Sequence, residues 1–203
     1  LATEVAGAEL GAIDLGWSER AERLAALGTL QDAVEDVCAP GDDPAPLVIL
    51  LDRVTDPHNV GAILRSAEVF GARAVIAPLR HAAPETGALA KSASGALERQ
   101  PYLRVRNLGD SMLMLAEMGY ALVGLAGEAE HDLRSAVASA GPAPLGLVLG
   151  AEGPGLRART RELCTTLARI GPAREFASLN VSNAAAVALF EQECMLSESN
   201  IDE

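Results

Sequence analysis

Short apolar runs alternate with segments of helical length over most of this chain. The apolar runs cover residues 47–51, 73–77, 121–125, 145–149 and 166–170, with a further short candidate at 102–105. Helices are predicted over residues 57–70, 109–118, 131–138, 155–163 and 179–195. Continuous apolar strands that alternate with helices indicate an α/β fold, in which a parallel sheet is covered by helices on both faces. Ligands of such sheets bind beyond the carboxyl ends of the strands, so the residues that follow each strand are the candidates for function.

The amino-terminal part of the chain has a different pattern. Residues 19–37 have apolar positions at helical spacing, and residues 41–46, rich in glycine, proline and aspartate, are typical of a linker. We therefore predict an acidic segment and linker over residues 1–45, interpretable as the remnant of a substrate-binding domain, and a main domain over residues 46–203. Because the chain begins with Leu1 rather than methionine, we expect further sequence upstream.

Charge is distributed unevenly. The net charge is −12, but residues 1–45 carry −8 and residues 191–203 carry −5, whereas residues 46–190 have 13 acidic and 14 basic side chains. The acidity therefore belongs to the two ends, and residues 46–190 are compatible with a nucleic-acid partner. No apolar run reaches the length of a membrane span, and the first residues do not form a secretion signal, so we expect a cytoplasmic protein without membrane association.

The sequence gives little support for a metal site or for a disulfide bond. Cys38, Cys164 and Cys194 are widely separated, and none of the three histidines has a partner at metal-ligand spacing. The cysteines are interpreted as reduced thiols.

The first polar motif follows the first strand. Asp56 and Pro57 predict a helix start, with an acid as the cap and proline at the first helical position. Asn59 then lies in the first turn, and Arg65 shares a helix face with Gly61, where a glycine would leave room for the backbone of a ligand. An ordinary capped helix with a surface arginine explains the same residues.

Two more motifs follow later strands. Gly150-Ala151-Glu152-Gly153-Pro154-Gly155 predicts a tight loop whose amides can face a ligand, although a plain turn is equally compatible. The last strand leads to Ser178-Leu179-Asn180-Val181-Ser182-Asn183, which continues into an alanine-rich helix. These side chains suit a helix cap, but four polar residues in six exceed what a cap requires.

Together and in this order, the three motifs resemble the SpoU (TrmH-like) branch of the SPOUT RNA methyltransferases. The resemblance covers about residues 47–192 and rests on Asn59-x-Gly61-x-x-x-Arg65, residues 147–153 and residues 178–182. Residues 91–98 are similar to the subgroup that methylates a guanosine of 23S ribosomal RNA, and transfer RNA is the alternative target.

The resemblance implies a parallel sheet with a deep carboxyl-terminal trefoil knot, S-adenosylmethionine bound in that knot, and a homodimer in which each site draws on both subunits. It further implies two groups of site residues. The catalytic and substrate-positioning group is Asn59, Arg65, Glu152, Ser178 and Asn180. The cofactor-binding group is Leu125, Ala126, Leu149, Gly150, Gly153, Ile170 and Leu179.

One departure concerns the cofactor loop, because Gly171 stands between Ile170 and Pro172 where the family usually joins the isoleucine and proline directly. Two other functions also stay open. One is a catalytically silent RNA-binding factor of the same fold that acts in ribosome assembly. The other is a nucleotide-binding enzyme with an ordinary doubly wound sheet.

Overall fold

The structure is a computed structural model that describes residues 30–39, 46–171 and 179–199. A seven-stranded parallel sheet forms the centre of this described part. The strands are β1 (Leu47–Asp52), β2 (Ala74–Pro78), β3 (Tyr102–Val105), β4 (Ala121–Leu125), β5 (His131–Asp132), β6 (Leu145–Gly150) and β7 (Thr166–Arg169). Their order across the sheet is β3-β2-β1-β6-β4-β7-β5. The predicted parallel sheet is confirmed.

The described helices are α1 (Leu30–Cys38), α2 (Pro57–Val69), α3 (Gly87–Ala93), α4 (Ala96–Arg99), α5 (Leu108–Glu117), α6 (Leu133–Ala140), α7 (Ala158–Leu163) and α8 (Val181–Ser199). In β1, alternate side chains face opposite sides of the sheet. Ile49 belongs to the apolar core shared with α2, α6 and α8, whereas Leu50 belongs to the core shared with α1 and α5. Every residue of β1 is buried, as expected for a central parallel strand covered on both faces.

Most predicted element bounds agree with the structure to within a few residues, and the differences have local causes. The helix predicted from residue 155 begins at Ala158, because Gly155 has φ +66° and closes a small turn with Ala151. The helix predicted from residue 131 begins at Leu133, because His131 and Asp132 pair with β7 as β5. The last helix begins at Val181 rather than at residue 179.

The alanine-rich helix α8 packs closely against the domain. Ala185 and Ala188 are fully buried in the same core as Ile63 and Leu64 of α2. Small side chains allow two helices to approach each other closely, so the alanine run brings the start of α8 to the start of α2. This contact joins the first and third sequence motifs.

The amino-terminal segment contributes to the core. Val34, Val37 and Cys38 of α1 are buried against the sheet, and the Tyr120 hydroxyl donates a hydrogen bond to the Cys38 carbonyl oxygen at 2.7 Å. The remainder of the helix predicted over residues 19–37 lies outside the described residues. Within the described ranges, none of the helices combines the length and apolar character that a membrane span requires.

Candidate active site

Polar side chains from all three motifs meet at the carboxyl ends of β1 and β6. Glu152 Oε1 accepts hydrogen bonds from Asn59 Nδ2 at 3.3 Å, from Asn180 Nδ2 and from the Val181 backbone amide at 3.3 Å. Asn180 Nδ2 also donates to Asn59 Oδ1 at 2.9 Å. Asn59, Glu152 and Asn180 therefore form one closed hydrogen-bonded group, which we call the amide–carboxylate cluster.

The start of α2 positions Asn59 as the sequence predicts. Asp56 is extended and caps the helix, because its carboxylate accepts hydrogen bonds from the backbone amides of His58 at 3.3 Å and Asn59 at 3.1 Å. Pro57 occupies the first helical position, where no amide hydrogen is required. These constraints hold Asn59 in the first turn, beside the neighbouring strand β6.

The loop after β6 brings Glu152 to the cluster by folding back on its own strand. The Gly155 amide donates to the Ala151 carbonyl oxygen at 2.9 Å, and Gly153 and Gly155 have φ values of +83° and +66°. A Cβ atom on Gly150 would fall on the backbone of Gly155 and Leu156. The glycines are therefore required by the turn itself and by the close approach of two backbone segments.

An ion pair between an exposed arginine and a buried carboxylate closes the same loop. Asp52, the last residue of β1, is fully buried, and its carboxylate accepts hydrogen bonds from Arg157 Nε at 2.6 Å and from the Arg157 backbone amide at 2.9 Å. Gly150, at the beginning of the loop, is paired with Asp52 in the sheet. Both ends of the loop that carries Glu152 are thus attached to β1.

Asn180 has two functions at the start of α8. Its Oδ1 atom accepts hydrogen bonds from the Ser182 amide at 2.9 Å, the Ser182 hydroxyl at 2.6 Å and the Asn183 amide at 3.4 Å. These contacts cap the helix, as the residue type predicts. The Nδ2 atom is directed to Glu152 and Asn59, so the cap and the cluster use opposite ends of one amide.

Arg65 is exposed and lies six residues beyond Asn59 on α2, so the two side chains leave the helix in different directions. Arg65 makes no ion pair or hydrogen bond with the described part of the chain, and it does not belong to the amide–carboxylate cluster. Ser178 lies outside the described residues.

The prediction that Gly61 leaves room for a ligand is wrong. The space beside Gly61 is filled by α3, because a Cβ atom on Gly61 would overlap Ser92 Oγ and lie 2.8 Å from the Ala93 backbone nitrogen. Ser92 Oγ itself donates to the Pro57 carbonyl oxygen at 2.7 Å. The glycine therefore serves the packing of α2 against α3, and it connects the first motif to the segment of residues 91–98.

The predicted cofactor residues lie mainly at the ends of three neighbouring strands, β6, β4 and β7. Leu149 is buried, whereas Leu125 and Ile170 are partly exposed at the edge of the same core. Ala126 follows β4, and its amide donates to the Ala168 carbonyl oxygen of β7 at 2.9 Å. Partly exposed apolar side chains beside a tight glycine loop suit a ligand with an aromatic ring, so these residues fit an adenosyl group.

Gly153 and Leu179 border this region from other segments. Gly153 lies at the exposed tip of the loop that carries Glu152, and Leu179 is 49% exposed directly before Asn180. An exposed leucine beside a polar cluster is available for contact with an apolar ligand group.

The loop after β4 is held by two arginines. Arg169 donates to the carbonyl oxygens of Ala129, at 2.9 Å, and Glu130, and Arg161 Nη1 lies 2.5 Å from Glu128 Oε1. A backbone hydrogen bond and the Arg161 guanidinium hold the pKa of Glu128 below its usual range. The loop beside Ala126 is therefore anchored on both flanks.

Sequence reasoning did not single out Asp52, Ser92, Arg157, Arg161 or Arg169. A signal existed for Asp52 alone, because a carboxylate directly after five apolar residues must find a partner if the strand is central. The partner itself could not be identified, since it lies 105 residues away.

The cluster supplies directional hydrogen bonds rather than a nucleophile. Among the described residues, Glu152 Oε2 receives no hydrogen bond, so an exposed carboxylate oxygen is available to a hydroxyl-bearing ligand. No group of histidine, cysteine, aspartate and glutamate side chains within the described ranges has the geometry to hold a metal ion. The arrangement is suited to holding a polar substrate in a defined orientation.

Comparison with known proteins gives consistent matches. The sequence profile of the SpoU rRNA Methylase family matches residues 46–190. The 23S rRNA (guanosine-2'-O-)-methyltransferase RlmB of Vibrio parahaemolyticus is 44% identical over 161 residues, which cover 79% of this chain and 63% of that protein. The chain thus spans about six tenths of the length of this relative.

Solved structures agree with the sequence relatives. The AdoMet-bound rRNA methyltransferase from Sinorhizobium meliloti aligns with a TM-score of 0.70 and 27% identity, over 80% of this chain and 60% of that one. The SpoU methyltransferase AviRb from Streptomyces viridochromogenes, solved in complex with AdoMet, aligns with a TM-score of 0.65 and 30% identity, over 78% of this chain and 60% of that one.

Proposed function

Because this chain belongs to the SpoU rRNA Methylase family, we propose that it transfers a methyl group from S-adenosylmethionine to a ribose 2'-hydroxyl of 23S ribosomal RNA. A guanosine is the proposed target, since the relative from Vibrio parahaemolyticus is named for that nucleoside. The observation that carries the proposal is the amide–carboxylate cluster, in which one side chain from each motif takes part.

The proposed cofactor site lies at the ends of β6, β4 and β7. Leu125, Ala126, Leu149, Gly150 and Ile170 would hold the cofactor, with Gly153 and Leu179 at its border. When bound there, S-adenosylmethionine supplies an electrophilic methyl group on a sulfonium centre. Two relatives of known structure are described as AdoMet-bound, which supports this assignment.

The substrate side of the site is proposed to work by positioning. Asn59 and Ser178 orient the ribose, while Glu152 and Asn180 maintain the polar frame around it. Arg65 is exposed and unpaired among the described residues, so it is free to bind a phosphate of the RNA and to stabilise the negative charge that develops on the ribose oxygen as its proton passes to solvent. An oriented hydroxyl close to its reaction partner accounts for a large share of the rate enhancement in transfers of this kind.

Two features of the whole molecule belong to the same proposal. The first is a deep trefoil knot near the carboxyl end, supported by family membership and by the return of α8 to pack on α2. An experimental trace in which this segment passes through no loop of the chain would contradict it. The second concerns residues 1–45, proposed as the remnant of a substrate-binding region; the boundary at residue 45 is one of sequence, because α1 packs against the sheet of the main domain.

A homodimer is proposed from the exposed surface of α8. Val187 and Phe190, three residues apart on one helix face, are 41% and 59% exposed. Exposed apolar side chains at helical spacing indicate a contact surface. Light scattering should give the mass of a dimer for the unmodified chain and of a monomer for Phe190→Glu; a monomeric unmodified chain would contradict the dimer.

The central experiment is methyl transfer from methyl-labelled cofactor to 23S ribosomal RNA purified from a strain that lacks the modification. We expect labelling of one guanosine ribose, and we expect Arg65→Ala to abolish it while cofactor affinity stays unchanged. Loss of cofactor affinity as well would make Arg65 structural. Labelling of transfer RNA instead would change the substrate, and RNA binding without turnover would indicate an assembly factor.

A thermal-shift comparison tests the remaining alternative, a nucleotide-binding enzyme with an ordinary doubly wound sheet. S-adenosylmethionine should raise the melting temperature, because a ligand that binds the folded state alone stabilises it. Stabilisation by a dinucleotide and not by S-adenosylmethionine would favour an ordinary nucleotide-binding enzyme. The proposed cytoplasmic location follows from the RNA target.

A further inference from the structure

Unpaired basic side chains are concentrated on one half of the described sheet. Five exposed bases make no ion pair or hydrogen bond with any described residue, and all of them lie in the part of the chain from the end of β1 to the residue after β3: Arg53, Arg65, Arg80, Lys91 and Arg106. The described arginines of the other half have partners: Arg134, Arg157, Arg159, Arg161 and Arg169. The free positive charge is therefore localised.

Three of these arginines follow three neighbouring strands. Arg53 comes directly after β1, Arg80 comes two residues after β2, and Arg106 comes directly after β3. Pro78 and Val105 are paired in register, and the backbone amide of Leu79 continues the ladder by donating to the Val105 carbonyl oxygen at 2.7 Å. Neighbouring strands are about 4.8 Å apart, so the row extends about 10 Å along the carboxyl edge of the sheet.

The charge balance of the two halves agrees with this distribution. Residues 53–110 contain eight bases and five acids, for a net charge of +3, whereas residues 111–171 contain five bases and six acids, for −1. The acids within five residues of the row along the chain are Asp52, which is paired with Arg157, Asp56, Glu85 and Asp110. Asp56 is occupied as the cap of α2. The whole chain has a net charge of −12, so the positive charge of residues 53–110 is confined to one part of the molecule. Such a local excess of positive charge attracts negatively charged ligands to that part.

The backbone at the row is unusual. Arg53 and His81, which flank the ends of β1 and β2, have φ values of +63° and +61°. Residues with a Cβ atom rarely adopt this conformation, and glycine or asparagine is more usual there. The presence of an arginine at such a position is accounted for if its side chain binds a ligand.

We propose that Arg53, Arg80 and Arg106, here called the arginine row, bind consecutive phosphates of the substrate RNA beside its target nucleotide. The proposal rests on the proposed function and assigns the path of the RNA strand. The row begins at β1, whose following helix carries Asn59, and it extends away from the strands of the proposed cofactor site. Planar guanidinium groups bind phosphate oxygens through two hydrogen bonds at once, which suits a phosphodiester chain.

The test compares Arg80→Gln/Arg106→Gln with Arg159→Gln, all in the full chain. Arg159 is a matched control, because it is exposed and its described partner is Glu162, three residues away on α7. Binding of a fluorescent 23S ribosomal RNA fragment that contains the target guanosine is measured at several salt concentrations. Affinity for S-adenosylmethionine is measured by calorimetry in parallel.

Each phosphate contact contributes about 0.7 to the slope of log affinity against log salt for a single strand, so the double variant should lose about 1.4. The same relation gives about fivefold weaker binding per contact at 0.1 M salt. The Michaelis constant for RNA should rise, while cofactor affinity and the Arg159→Gln control stay unchanged.

An unchanged salt slope in the double variant, with methylation by the unmodified chain intact, would overturn the arginine row and leave the proposed function standing. An equal loss in Arg159→Gln would also overturn it, because the effect would then reflect net charge alone. Absence of both RNA binding and methylation in the unmodified chain would instead refute the proposed function, and the arginine row with it.

Discussion

Arg157 Nε lies 2.6 Å from Oδ1 of Asp52, a carboxylate that is fully buried at the end of the central strand β1. This ion pair attaches the end of the glycine loop, at Arg157, to β1. The loop begins at Gly150, which is paired with Asp52 of the same strand. Glu152 is thus carried by a segment that is held at both ends, although the glutamate itself is exposed.

Asp52→Asn should weaken the fold and the site together. An amide oxygen can replace one carboxylate oxygen, but the amide nitrogen then faces a donor of Arg157, so a buried polar group loses its partner at a cost of about 1–3 kcal/mol. We expect a lower urea midpoint and a reduced rate of methyl transfer. Glu162→Gln, at an exposed ion pair, is the control and should change stability by at most about 1 kcal/mol. Equal effects of the two substitutions would rule out a special role for Asp52.

The two functions of Asn180 should separate in two variants. Asn180→Asp keeps an oxygen that can cap α8, but it places a second carboxylate beside Glu152, so activity should be lost with little change in melting temperature. Asn180→Ala removes the cap as well and should cost a further 1 kcal/mol or so of stability, about the usual value of a cap. Circular dichroism melting and methyl transfer measure the two effects. Full activity in Asn180→Asp would contradict the role of the cluster.

Gly61→Ala tests the contact between α2 and α3. The added Cβ atom would meet Ser92 Oγ and, at 2.8 Å, the Ala93 backbone nitrogen, so overpacking should destabilise the chain by about 1–3 kcal/mol. Ser92→Gly should restore part of the loss, because the hydroxyl is removed and the backbone atom stays. Gly87→Ala, which meets no atom within 4 Å, is the control. A melting temperature unchanged by Gly61→Ala would refute the packing role.

These residues show how far sequence reasoning extends in this protein. The strands and helices were predictable because apolar runs and helical spacing are local, and the carboxyl-edge rule correctly brought together Asn59, Glu152 and Asn180. The short helices α3 and α4 were not predicted, because segments of seven and four residues are too short to show a helical periodicity. The role of Gly61 was misjudged because its neighbour lies 31 residues later, where no spacing rule applies.

Cys164 should resist alkylation in the folded protein. Burial raises the pKa of the Cys164 thiol to about 12, and its Sγ atom donates to the Thr160 carbonyl oxygen at 3.2 Å. An ordinary thiol has a pKa of about 8.5. At a pH of about 8.5, the fraction of Cys164 present as the reactive thiolate should therefore be about a thousandfold lower than that of an ordinary thiol. Mass spectrometry after iodoacetamide treatment, with and without denaturant, measures the difference. Equally fast labelling under both conditions would show that the thiol is accessible and ionised.

The amide–carboxylate cluster joins residues that are far apart along the chain. The hydrogen bond from Asn59 to Glu152 spans 93 residues, and the one from Asn180 to Asn59 spans 121. Contacts of such long range form slowly, because much of the chain must be ordered before they close. Methyl transfer would consequently recover only in the last stage of refolding, and a nascent chain would stay inactive until α8 had left the ribosome.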